Sequence, residues 1–236
     1  MIKNIMFDLD GTLLPVNQDE FVMKVMSVME VELKKTDLDS TGFLKGMLKG
    51  IDTIVKNSDG SCTNEELFWR VFLEHSEIEQ EKAIDFFVDF YNGAYVLATE
   101  IVAYNTIIAD TVTLLKNKGY NMILATSPVF PALAVFERMK WNDIFPEDFS
   151  YISCFENSSY AKPKKEYYQE ILDKLDLDPE ETIMVGNDVL EDGIVEELGV
   201  DCYLITDFLV NRYNTELSTK WSGTFDEFYD LVENSF

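Results

Sequence analysis

One stretch near the N-terminus constrains this chain more than any other: Ile2-Lys3-Asn4-Ile5-Met6-Phe7-Asp8-Leu9-Asp10-Gly11-Thr12-Leu13-Leu14. The apolar, β-prone run predicts a buried strand, and the two aspartates followed by a glycine predict that it ends in a turn. Such a strand delivers carboxylates to the edge of a sheet. Isolated buried carboxylates are costly, so a pair placed there needs a cation, hydrogen-bond donors, or both. Mg²⁺ suits the position, because it takes hard oxygen ligands and keeps waters for a substrate phosphate. The alternative reading is an Asp-Gly turn with both acids solvated.

The bulk numbers set the class. With 236 residues, 47% hydrophobic and 13% aromatic, the chain can bury a real core as one large domain or two smaller ones. A net charge of −25, from 44 acids against 19 Lys and Arg, argues against nucleic acid or an anionic membrane surface as a partner. It also means that a phosphate site must supply its own local positive charge. Cys62, Cys154 and Cys202 form no C-x-x-C pattern and read as core or surface residues of a reducing compartment. With no signal-like start and no long uncharged apolar run, the expected location is the cytoplasm. His75 is the only histidine and lies among Leu67, Phe68, Val71 and Phe72, which argues against a histidine-centred triad or a zinc site.

After Pro15 the pattern becomes helical for about eighty residues. Apolar residues recur at helical spacing from Phe21 to Leu33 and from Phe43 to Val55. Thr63 with Glu66 three residues on reads as a capping box opening a third helix, and a fourth spans roughly Gln80 to Leu97. From about Glu100, helices alternate with short apolar strands near 121–126, 151–153, 182–185 and 201–205. That alternation predicts right-handed βαβ crossovers, hence an α/β fold with a Rossmann-like, mainly parallel sheet flanked by helices. Residues 1–15 and 99–236 are expected to form this core, and residues 16–98 an inserted all-helical domain.

In such sheets ligands bind beyond the carboxyl ends of the strands. Asp8, Asp10, Thr126, Ser127, Asp188 and Asp192 all fall at that end, with Lys162 in the loop after the third strand. Taken singly, Thr126 could be a strand-end residue, Lys162 part of a solvated run with Lys164 and Lys165, and the acids a helix N-terminus.

Together, Phe7-Asp8-Leu9-Asp10-Gly11-Thr12-Leu13, Thr126, Lys162-Pro163 and Gly186-Asn187-Asp188 with Asp192 resemble, in order, the four motifs of the haloacid dehalogenase superfamily. The likeness covers the whole chain, residues 16–98 resembling that family's C1-type cap. It implies a Mg²⁺-dependent phosphatase in which Asp8 is the nucleophile, forming an aspartyl-phosphate, and Asp10 the acid and then the base. It further implies that Mg²⁺ is held by Asp8, the Asp10 carbonyl and Asp188, with Thr126, Ser127 and Lys162 binding phosphate. Asp192 would orient Lys162 or a metal-bound water. The fourth motif departs from the usual Gly-Asp, because Asn187 intervenes; Asp188 is taken as the ligand and Asn187 as a neutral neighbour.

The dehalogenase branch typically lacks the second aspartate, so Asp10 favours phosphoryl transfer. A phosphomutase and a non-catalytic binding protein on the same fold are the alternatives. The expected partner is a small phosphorylated metabolite, and the expected state a monomer or weak homodimer. Lys24, Lys45, Lys49 and Arg70 in the helical insert are candidates to reach an anionic substrate, against their reading as solvated helix faces.

Overall fold

A computed structural model describes residues 1–214 and 221–235. The chain forms a six-stranded, wholly parallel sheet in the order β3-β2-β1-β4-β5-β6. The strands are β1 (Asn4–Phe7), β2 (Asn121–Leu124), β3 (Tyr151–Ile152), β4 (Thr182–Gly186), β5 (Asp201–Ile205) and β6 (Trp221–Gly223). Helices α1 (Gln18–Leu33), α2 (Ser40–Lys56), α3 (Asn64–Ser76) and α4 (Gln80–Asn92) fall between β1 and β2, followed there by α5 (Thr106–Lys118). Beyond β2 come α6 (Ala132–Lys140), α7 (Lys165–Leu175) and α8 (Phe225–Ser235). No described helix is long and apolar enough to cross a membrane.

Alternation along the strands sorts their side chains onto two covered faces. Ile5, Phe7, Leu124, Ile183 and Val185 pack with Val112 and Leu115 of α5 and Phe228 of α8, whereas Met6, Ile123, Met184 and Cys202 pack with Tyr167, Tyr168 and Ile171 of α7. Full burial of such side chains contributes about 1.5–3 kcal/mol each, which is what holds the strand ends in place. Phe7 is level with Leu124 on one side and Val185 on the other, so β1 and β2 end on one line and β4 runs one residue further. From β1 the chain builds outward to β2 and β3, then returns to β4 on the opposite side. The switch in direction lies between β1 and β4, and the crevice there is where Asp8 emerges.

The insert is stitched to the sheet at both ends. Ala103 N–H donates to the Pro15 carbonyl at 2.9 Å, so its entry and exit lie side by side. Buried Asn64, at the start of α3, donates through Nδ2 to the carbonyls of Pro128 (3.1 Å) and Tyr160 (3.0 Å). The capping box of Thr63 and Glu66 is present. Helices α2 and α3 approach closely along Gly46 and Gly50: a Cβ on Gly50 would lie 2.6 Å from the Phe68 ring.

Three elements differ from what the sequence pattern suggests. The fourth insert helix stops at Asn92, because Gly93 leaves helical dihedrals (φ −123, ψ −98), and a 3₁₀ segment Ala94–Ile101 follows. The turn after Asp192 is likewise 3₁₀, over Gly193–Leu198, rather than α-helix. Strand β6 was not foreseen: three residues ending in glycine carry no period to read.

Candidate active site

The sheet brings Asp8, Asp10, Thr126, Ser127, Lys162, Asn187, Asp188 and Asp192 to one place. All but Lys162 line a cavity of about 20 Å³ at the carboxyl ends of β1, β2 and β4, and Lys162 bonds directly into it. That is room for roughly one water or ion among oxygen donors.

Lys162 is 2% exposed, not a member of a solvated run. Its ammonium donates to Asp8 Oδ1 and to Asp192 Oδ1, both at 2.7 Å. One cation therefore serves two carboxylates. Burial pushes the Asp8 carboxyl up to about 8; the Lys162 charge opposes that rise and Asp192 adds to it. Burial alone would lower Lys162, but Asp192 and Asp8 hold it well above the usual lysine value. Lys162 thus keeps its charge, and Asp8 is the carboxyl that tends to take up a proton.

Asp192 is fixed at its other oxygen, which accepts the N–H groups of Asn187 and Asp188, each at 2.9 Å. Adjacent tyrosines on α7 hold the flanking loops: the Tyr168 hydroxyl donates to Asp192 Oδ1 (3.1 Å), and the Tyr167 hydroxyl to the Thr126 carbonyl (2.8 Å). Asn187 has both ends of its amide engaged, Oδ1 accepting from Thr12 (3.2 Å) and Nδ2 donating to the Phe208 carbonyl (2.7 Å). It braces the first turn against the fourth. Gly11 makes that contact possible, since at φ +94 a Cβ would fall 2.2 Å from Asn187 Nδ2.

Asp188 turns the other way. Its Oδ1 accepts the N–H groups of Leu190 (2.8 Å) and Glu191 (2.9 Å), and its Oδ2 pairs with Arg212 at 2.5 Å. Arg212 arrives because Val210 pairs with the 187–189 turn across a short bridge, and its side chain is 44% exposed. Asp10 is held by a residue that sequence reasoning missed, Arg138 of α6. Arg138 is fully buried, its Nη1 donates to Asp10 Oδ2, and its guanidinium lies 4.4 Å from the centre of the Phe130 ring. Asp10 Oδ1 is buried and makes no hydrogen bond. The available signal was a charged residue in the buried stripe Ala134, Val135, Arg138, Met139.

Among the described residues no three His, Cys, Asp or Glu side chains cluster tightly enough to hold a metal alone. Two carboxylates and a carbonyl around a small polar cavity are nonetheless the sort of partial set that Mg²⁺ uses. Among the described residues five carboxyl groups, Asp8, Asp10, Asp188, Asp192 and Glu191, meet three cations, Lys162, Arg138 and Arg212, so acids outnumber cations there by two. Asp8 shares its one cation, Lys162, with Asp192. The donor set fits a divalent, oxygen-seeking cation.

A family model described as haloacid dehalogenase-like hydrolase matches residues 2–192. No curated protein matches the chain. Among solved structures, a predicted phosphoglycolate phosphatase from Haemophilus somnus 129PT is similar, with 19% identity, TM-score 0.58 and 98% of each chain covered. CbbY from Rhodobacter sphaeroides, in complex with phosphate, has 18% identity and TM-score 0.61 over 96% of each chain. L-2-haloacid dehalogenase from Xanthobacter autotrophicus has 11% identity and TM-score 0.60 over 100% of each chain. At these identities the likeness concerns the fold.

Proposed function

The chain belongs to the haloacid dehalogenase-like hydrolases, and from that premise we propose that it is a Mg²⁺-dependent phosphatase acting on a small phosphorylated metabolite. The observation that carries the reading is the Asp10 carboxylate. It stands two residues beyond Asp8, with one oxygen clamped by Arg138 and the other without a hydrogen bond. A dehalogenase needs no acid to protonate its leaving halide, whereas an alkoxide leaving group does.

In this reading the free oxygen of Asp8 attacks phosphorus as the bond to the leaving oxygen breaks, and Asp10 gives that oxygen its proton. Asp10 then takes a proton from water, which attacks the aspartyl-phosphate and releases inorganic phosphate and Asp8. Proton transfer contributes about 10²–10⁴ in rate, so positioning and charge must supply most of the remainder. Lys162 supplies fixed positive charge beside the nucleophile; Thr126 and Ser127 donate to phosphoryl oxygens. Asp192 holds Lys162 and, through the Asn187 and Asp188 amides, the turn that carries Asp188. Mg²⁺, held by Asp8, the Asp10 carbonyl and Asp188, would polarise the phosphoryl group and keep Asp8 ionised. The helices of residues 16–98 act as a cap that excludes water and bulky macromolecules.

The test is turnover of an aryl phosphate and a panel of metabolite phosphates, with and without Mg²⁺. Mg²⁺-dependent release of phosphate that is lost in Asp8→Asn is expected. No turnover, or turnover unchanged in that variant, defeats the reading. Isomerisation of a sugar phosphate with little free phosphate would instead identify a mutase.

A further inference from the structure

A second cavity, of about 480 Å³, opens from the catalytic groups into the helical insert. At one end lie Asp10, Ser127 and Lys162. Most of the remaining lining is apolar, Met26, Met29 and Ile51 together with Phe68, Phe87 and Phe130. A volume of this size is that of a whole ligand pocket, far more than a phosphate fills.

Charge in this chamber is one-sided. Lys162, already shared by two carboxylates, is the only Lys or Arg among the described lining residues; Asp10, Glu65, Glu156 and Glu191 are the others that can carry charge. None of Lys24, Lys45, Lys49 and Arg70 reaches it, and Lys24 is paired with Glu100 at 2.5 Å. Glu156 is engaged by the Ala132 N–H at the start of α6, at 2.9 and 3.0 Å. A second phosphate or a carboxylate on the substrate would be buried against acids with no cation to meet it. A polyhydroxylated sugar would lose its water shell against methionine and phenylalanine with few partners in return.

We infer that the substrate is a phosphate monoester of an apolar alcohol or phenol, its hydrocarbon part seated in this chamber. The inference rests on Asp8 being the phosphoryl site. Partly exposed aliphatic side chains at the chamber, Val22, Leu48, Ile84 and Val88, would be covered by a chain reaching past the aromatic wall. Burying a methylene is worth about 0.8 kcal/mol, which is about fourfold in affinity.

Binding of alkylphosphonates, which resist hydrolysis, separates this inference from the phosphatase reading. Calorimetric titration with ethyl-, butyl-, hexyl- and octylphosphonate in Mg²⁺ is expected to show affinity rising by about threefold or more per methylene. Inorganic phosphate should displace the octyl compound. Val88→Asp, at a partly exposed wall position, should flatten the series. A flat series in the native protein overturns the inference, as does undetectable binding of every member. Tighter binding of phosphocholine than of its neutral isostere 3,3-dimethylbutyl phosphate also overturns it, because the aromatic wall would then be serving a cation. A rising series with no turnover of any ester would leave the chamber in place and remove the phosphatase reading.

Discussion

Replacing Arg138 with methionine tests the centre of the site. The side chain is wholly buried, its guanidinium lies over Phe130, 4.4 Å from the ring centre, and it pairs with Asp10, whose side chain is 13% exposed. Methionine keeps much of the volume and removes the charge, leaving the mostly covered Asp10 carboxylate without its counter-ion. Breaking a buried pair from one side costs about 3–5 kcal/mol. For a chain of this length that lowers the melting temperature by about 6–20 °C. The double variant Arg138→Met with Asp10→Asn should recover more than half of the loss, since no lone charge remains. Turnover adds a second readout. With Asp10 no longer held, Arg138→Met should slow alkyl phosphates, which need a proton on the leaving oxygen, at least tenfold more than acyl phosphates, which hardly need one. Urea unfolding of the single and double variants, with kcat/KM on both ester classes, makes the check. A loss below about 1 kcal/mol, or a double variant no more stable than Arg138→Met, would falsify the assignment of a mutually dependent buried pair.

Gly11→Ala would drive a Cβ into Asn187 at a left-handed backbone position, with an expected loss of about 2–4 kcal/mol in chemical denaturation and a fall in kcat. Asn64→Ala removes both donors that tie α3 to the Pro128 and Tyr160 carbonyls; thermal unfolding should report a cost of about 2–3 kcal/mol. Glu65 is raised above the usual carboxylate range by burial first and by the Glu156 charge second, so the folded state holds its proton more tightly than the unfolded state does. Stability should therefore fall as pH rises through the carboxylate range. Glu65→Gln should be the more stable protein at pH 7, by less than about 1 kcal/mol because the group is largely solvated, and the gap should close near pH 4 in urea titrations.

Much of this site was legible because its chemistry is carried by local pattern. An apolar, β-prone run ended by Asp8-Leu9-Asp10-Gly11 reads as a buried strand that presents its acids beyond a sheet, and helix-strand alternation after residue 100 points to parallel strands. The helical insert was equally legible, since Phe21 to Leu33 and Phe43 to Val55 show the period that buries one face. Two other features depend on long-range contacts that the local pattern does not specify. Arg138 lies 128 residues from Asp10, and it looks like a surface residue until α6 is turned to face the site. Arg212 reaches Asp188 only because the 210 region bridges to the 187–189 turn.

Asn187 shows the same division. From sequence it competed with Asp188 for the fourth-motif position; in the fold its amide is spent on Thr12 and Phe208, because Gly11 admits it to the first turn. By itself, then, the sequence determined the parallel sheet, the helical insert and the identity of the polar groups at the strand ends, since each follows from period and turn chemistry over a few residues. Only the tertiary structure decided which acids are paired, by which cations, and that the helices enclose an apolar chamber almost without positive charge. Those properties belong to side chains from different helices and loops that meet only after the chain has folded.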